Sequence, residues 1–141
     1  MDKIDGLVFY DLKIFDDDRG SLLHILSIEN HPSYNFGECY ASETKSGVVK
    51  AWKMHDRISQ NIAVVYGEIR LAVYDPRKNS KTFQNIISTD LSRKNYKLVH
   101  IPRGLWYGFK CISAKDALII NCIDSPYDPK ETHNHSTNEL P

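Results

Sequence analysis

Gly47-Val-Val-Lys50-Ala-Trp-Lys53-Met-His55-Asp-Arg-Ile-Ser-Gln60-Asn-Ile-Ala-Val-Val-Tyr-Gly67 decides how this chain is read. Two β-rich runs, Val48–Met54 and Asn61–Tyr66, flank a polar turn and are bounded by glycines. Side chains alternate faces along a strand, so Lys53 and His55 share one face. If Lys53 lines an interior, His55 does too. Gly67-Glu68 reads as a tight hairpin turn, with glycine free to take a positive φ.

The rest of the chain repeats this style. Ile69, Leu71 and Val73 alternate with Arg70, Ala72 and Tyr74, the period of a half-buried strand. Further strands are expected at Leu22–Ile28, Phe36–Ser42, Leu98–Ile101 and Ala117–Ile123, with one or two short strands over Phe9–Phe15. Asp75-Pro76 opens a turn. A short helix is expected around Leu91–Asn95, capped by Asp90 or Ser92. Many short strands at close spacing indicate an all-β sandwich or barrel. The 141 residues suit a single domain, with a polar, mobile tail from about Glu131.

Composition narrows the function. Eighteen basic residues balance eighteen acidic ones, so no broad electrostatic footprint for nucleic acid is expected. No apolar run reaches the length of a membrane span, and Met1-Asp-Lys-Ile-Asp lacks the order of a secretory signal; a cytoplasmic location is expected. Cys39, Cys111 and Cys122 show no C-x-x-C or Cys/His spacing for zinc. Cys111 and Cys122 sit in apolar runs and read as buried, reduced thiols. His133 and His135 have metal-like spacing but lie in the polar tail without a supporting frame, so no metal site is assigned.

With Gly47 and Gly67 in register, the opening stretch resembles the cupin signature G-x5-H-x-H-x4-E-x6-G. Lys53 stands for the first His, His55 is the second, and Gln60 replaces the Glu. Other blocks extend the likeness: Asp18-Arg19-Gly20-Ser21-Leu22; Tyr74-Asp75-Pro-Arg77 through Ser80, Thr82 and Phe83; Ile101-Pro102-Arg-Gly104-Leu-Trp-Tyr107-Gly108-Phe109; and Tyr127-Asp-Pro129-Lys-Glu131. In this order and spacing they resemble the dTDP-4-dehydrorhamnose 3,5-epimerase family. Gln60 also resembles the His-x-His-x4-Gln spacing of sugar 3,4-ketoisomerases.

The resemblance implies a cupin jelly-roll barrel of antiparallel strands, usually a homodimer, working without metal or other cofactor. It implies a 4-keto-6-deoxy sugar on a nucleoside diphosphate as substrate, in deoxysugar or surface-polysaccharide assembly. The family's catalytic His falls at Lys53, its Lys at Gln60, the His of its A-H-G-F motif at Tyr107, and its catalytic Tyr at Ile120. The C-terminal Asp that partners the family's His is expected to be missing, the chain ending at Pro141. Such changes fit a 3-epimerase or a 3,4-ketoisomerase better than a full 3,5-epimerase.

Chemistry assigns the remaining candidates. Shifting a proton beside a carbonyl needs a base, a donor, and positive charge or donors at the enolate oxygen. Lys53 suits enolate stabilisation as an ammonium, or proton abstraction if burial lowers its pKa. His55 suits the base near neutral pH, and Tyr107 the proton donor. Arg19, matching a nucleotide-sugar-binding position, and Lys50 suit the diphosphate; for Arg19 the alternative is an ion pair within Asp16–Asp18. Gln60 suits a sugar hydrogen bond. Arg57 and Arg77 read as surface charge, and Trp52 and Trp106 as packing residues. The competing reading is a cupin that binds a nucleotide sugar, or another small ligand, without turning it over.

Overall fold

A computed structural model describes residues 3–136. Twelve strands form: β1 (Val8–Asp11), β2 (Ile14–Asp17), β3 (Gly20–Leu23), β4 (Glu38–Thr44), β5 (Val49–His55), β6 (Gln60–Tyr66), β7 (Ile69–Tyr74), β8 (Ile86–Leu91), β9 (Lys97–Ile101), β10 (Trp106–Cys111), β11 (Ala117–Ile123) and β12 (Thr132–Asn134). One sheet has the order β1-β9-β6-β11-β4, the other β12-β5-β10-β7-β8, and β2-β3 is a separate hairpin. All pairings are antiparallel. This is the jelly-roll barrel of the sequence reading.

Beyond β4, every connection except β7–β8 crosses between the sheets. Gly67 therefore does not close a hairpin. It is a corner at which β6 hands the chain to β7 in the opposite sheet. Its φ is 70°, and an added Cβ would come within 2.7 Å of Ala117 Cα and Asp116 O. Both facts demand glycine.

Alternation decides the interior. Along β7 the odd residues Ile69, Leu71 and Val73 are buried. They meet Ile62 and Val64 of β6, Val99 and Ile101 of β9, Tyr107 and Cys111 of β10, and Ala117 and Ile119 of β11 in one core cluster. The other parity of β6 and β9 is covered as well. Ala63 and Leu98 pack under Ile14 of β2, Leu23 of β3, and the neighbouring Leu12, Ile25 and Leu26. Burial on both faces explains why β6 carries the unbroken apolar run Ile62–Val65 while β7 alternates.

Three expectations are corrected. Leu91–Asn95 is not helical; a single antiparallel bridge joins Ser92 to Asn95. β8 and β10 lie in stretches without a clean alternating signal. The polar tail is docked as far as His135. Glu131 is buried, β12 pairs with β5 in register Thr132↔His55, His135 exchanges backbone hydrogen bonds with Trp52, and its ring lies 4.6 Å from that of Trp106. Residues 137–141 of that tail lie outside the described residues. His133 is bonded to Asp56 Oδ2 at 2.8 Å. No described helix is long and apolar enough to cross a membrane.

The β7–β8 turn is organised by one buried carboxylate. Asp75 accepts from Arg77 Nε at 2.8 Å, Arg77 Nη2 at 2.9 Å, Ser80 Oγ at 2.8 Å and Thr82 Oγ1 at 2.6 Å. Arg77 also reaches Asp5 O. Arg77 is thus more than the loose surface charge of the sequence reading. Burial opposes the charge on Asp75, but the bonds from Arg77, Thr82 and Ser80 win and hold its carboxyl far below the usual carboxylate range. Asp75→Ala would strand several donors. Urea denaturation should show a loss of about 3 kcal/mol, whereas Asp18→Ala on the exposed turn should change stability by less than about 0.5 kcal/mol.

Candidate active site

At one end of the barrel the apolar filling gives way to polar side chains on both walls. On the β5–β10 wall, His55 and Tyr107 face inward. Tyr107 lies opposite Lys53 in the β-ladder, and Lys53 and His55 are two residues apart on β5, so the three share a face. His55 and Tyr107 are each less than a tenth exposed, their rings stacked with centroids 6.2 Å apart. Lys53 is exposed. Gly108 makes the wall possible: an added Cβ there would come within 2.4 Å of Ala51 Cβ, where the β10–β5 register shifts.

The decisive partner comes from the C-terminal segment. A 3-10 turn, Pro129–Glu131, is capped by Asp128, which accepts from Lys130 N. Asp128 in turn holds Arg57 at 2.9 Å. This places Glu131 Oε1 2.5 Å from His55 Nδ1. Its other oxygen accepts from the backbone N–H of Arg57 at 3.1 Å and Ile58 at 3.4 Å. Burial pushes the Glu131 carboxyl upward, but the hydrogen bonds from His55, Arg57 and Ile58 outweigh it and hold it below its ordinary value. The ionised carboxylate can only accept, so Nδ1 carries the proton. The other ring nitrogen, His55 Nε2, lies 3.4 Å from the Tyr107 hydroxyl. Burial, with Tyr40 and Glu131 nearby, pushes the Tyr107 phenol well above its ordinary range, so it stays protonated.

The opposite wall carries a second polar set. Gln60 begins β6 and is fully buried. Its Oε1 accepts from Asn121 Nδ2 at 2.5 Å, and the same amide donates to the Tyr40 hydroxyl at 3.1 Å. Asn121 and Tyr40 are direct partners on β11 and β4. Asn121 Oδ1 accepts from Asn61 N at 3.2 Å. Gln60 Nε2 is buried with no hydrogen-bond partner among the described residues. Burial raises the Tyr40 phenol despite the bond from Asn121.

The structure thus brings Lys53, His55 and Tyr107 together and sets Gln60 on the facing sheet. It uses Lys50 otherwise: its ammonium spans the gap to Glu43 O at 2.6 Å and Ser42 Oγ at 3.3 Å on β4. Arg19 lies on the β2–β3 turn, its side chain 87% exposed and paired with Asp17 at 2.7 Å, the ion-pair alternative of the sequence reading. Arg57 clamps Asp128. Trp52 and Trp106 are buried packing residues. A carboxylate outside those expectations, Glu131, partners His55. The inward residue of β11 is Asn121, one beyond Ile120. Sequence reasoning missed Glu131, Asn121 and Tyr40 as site residues. Glu131 sat in the Tyr127-Asp-Pro-Lys-Glu131 block, and Asn121 was the one polar residue in the β11 run.

A cleft lined by Met54, Asp56, Arg77, Arg103 and Trp106 opens elsewhere. Its polar groups include Arg77, already engaged by Asp75, and it holds no acid–base pair comparable to His55–Glu131. Chemistry favours the barrel end.

Known proteins agree with this fold. A structure described as a dTDP sugar isomerase from Desulfovibrio desulfuricans superposes with a TM-score of 0.93 at 34% identity, covering 96% of this chain and 87% of that one. The probable low-salt glycan biosynthesis epimerase of Haloferax volcanii is 29% identical over 134 residues, 91% of this chain and 83% of its own length. A spore coat polysaccharide biosynthesis protein of Bacillus subtilis is 26% identical over 128 residues, 91% of this chain and 85% of its own length. The family model for dTDP-4-dehydrorhamnose 3,5-epimerase matches residues 1–139, and with the jelly roll and its polar end in place the chain belongs to that family.

Proposed function

We propose that this chain is a cytoplasmic, cofactor-independent epimerase or isomerase of a nucleotide-linked 4-keto-6-deoxy sugar, serving deoxysugar or surface-polysaccharide synthesis. The observation that carries the reading is the buried His55–Glu131 pair, facing Tyr107 on its own wall and Tyr40 on the other. His55 Nε2 removes the proton from the carbon beside the sugar carbonyl. Glu131 holds the imidazole in the required tautomer and stabilises the imidazolium. The unpartnered Gln60 Nε2 and the Lys53 ammonium answer the charge developing on the carbonyl oxygen.

Proton return decides the product. A donor beside His55 returns the proton on the side it left, whereas inversion requires a donor facing the other side of the sugar. Tyr107 serves the first role and Tyr40, from the opposite sheet, the second. Arg19 and Lys50 are proposed to contact the diphosphate, Lys50 by exchanging its β4 contacts for phosphate oxygens. Phe15 and Leu22 on the β2–β3 hairpin, with Ile28 and Phe36, are exposed apolar side chains that support a homodimer.

Incubation with dTDP-4-keto-6-deoxyglucose in D2O tests the reading. Deuterium should enter at C3, detected by mass spectrometry and located by NMR. Uptake at C5 as well would indicate the double epimerisation. No uptake would favour the binding-only cupin or another nucleotide sugar. His55→Ala should reduce exchange by about 10²- to 10⁴-fold. Tyr40→Phe should spare exchange but suppress the inverted product; equal loss of both would remove Tyr40 from the proposed role.

Acid stability tests the same pair without substrate. A carboxylate with a lowered folded pKa stabilises the fold above its unfolded value, 4.5 for Glu131. That contribution disappears as pH falls through the lower folded value. Thermal unfolding should therefore decline less steeply below pH 4.5 in Glu131→Gln than in the parent chain. An unchanged acid limb would mean that Glu131 is not held as an anion.

A further inference from the structure

The three cysteines play no part in the proposed proton chemistry, but two of them meet. Cys39 on β4 and Cys122 on β11 are direct cross-strand partners, and their sulfur atoms lie 3.5 Å apart. Directly opposed residues of antiparallel strands have Cα atoms about 4.5–5.5 Å apart, inside the roughly 4.4–6.8 Å that a disulfide spans. Rotation of the side chains is enough to bring the sulfurs to bonding distance. Cys111, by contrast, is buried against Ser113 and Lys115.

The two thiols are unequal. Cys39 is exposed and Cys122 buried. Burial, then the hydrogen bond and negative charge of Cys39, push the Cys122 thiol up to about 12. Two of those three causes vanish once Cys39 is capped by another sulfur. Attack therefore begins at Cys39, and Cys122 is the resolving thiol. Tyr34 feels both cysteines and Asp124, and Glu38 and Tyr40 flank Cys39 on β4.

We propose that Cys39 and Cys122 form a reversible cross-strand disulfide with a low-molecular-weight disulfide as oxidant, clamping edge strand β4 to β11. The Cys39 thiolate attacks one sulfur of the oxidant, giving a mixed disulfide and one released thiol. Cys122 then attacks the Cys39 sulfur, giving up its proton and expelling the second small thiol. One protein dithiol and one small disulfide become one protein disulfide and two small thiols. The bridge stands one register pair from Tyr40↔Asn121, so it fixes the strand that carries Tyr40. Pairing on only one side leaves β4 free to fray when reduced.

The test uses the full chain treated with oxidised glutathione at mildly alkaline pH. Two of its three thiols should be lost to titration, and a non-reducing peptide map should join the Cys39 and Cys122 peptides. Dithiothreitol should restore both. Amide exchange along β4 should slow in the oxidised form. Cys39→Ser and Cys122→Ala should each prevent the link, while Cys111→Ala should leave it unchanged. A glutathione adduct persisting on Cys39, a link between two chains through Cys39, or no thiol loss would each overturn the proposal. A bridge without slower β4 exchange would overturn the clamp. None of these readouts depends on sugar turnover, so they stand apart from the epimerase reading.

Discussion

The Glu131 carboxylate, 2.5 Å from His55 Nδ1, is the contact on which the site depends. A buried carboxylate is costly unless its lone pairs are occupied, and here one imidazole and two backbone amides occupy them. The same contact docks the C-terminal segment, because Glu131 leads directly into β12 and its ladder with β5. Fold and chemistry share one anion. It fixes the end of the second sheet and orients the His55 ring, turning Nε2 toward Tyr107.

A two-sheet barrel offers something that a single strand motif cannot. Each wall presents its own polar set, and the sugar would lie between them. The His55–Tyr107 wall has an imidazole held by a carboxylate and a protonated phenol. The Gln60–Asn121–Tyr40 wall has an amide chain ending in another phenol. Facing acid and base groups is the arrangement that inversion at carbon requires. His55, two residues beyond Lys53 on the same face of β5, has a carboxylate of its own in Glu131.

Rigid corners keep the walls in place. Gly67 turns the chain between sheets where a side chain would collide with Ala117. Asp75 gathers Arg77, Ser80 and Thr82 into a closed polar turn and, through Arg77, ties it to the N-terminal segment.

Much of the fold was legible in order. The alternation of Ile69, Leu71 and Val73 gave the inner face of β7, and Ala117–Ile123 matched β11 end to end. Parity alone linked Lys53 to His55. Periodicity could not say which sheet a strand joins, so Gly67 read as a hairpin when it is a corner. Nor could it separate Lys53 from His55 in burial, or show that Lys50 would be spent on β4. The Glu131 partner of His55 is 76 residues away in sequence, and Tyr40 reaches Asn121 across 81. The barrel and the face shared by Lys53 and His55 follow from side-chain period and local turn chemistry, and so could be read from residue order. The carboxylate on His55 and the Tyr40 phenol on Asn121 could not, because both depend on strands brought together by the jelly-roll crossings.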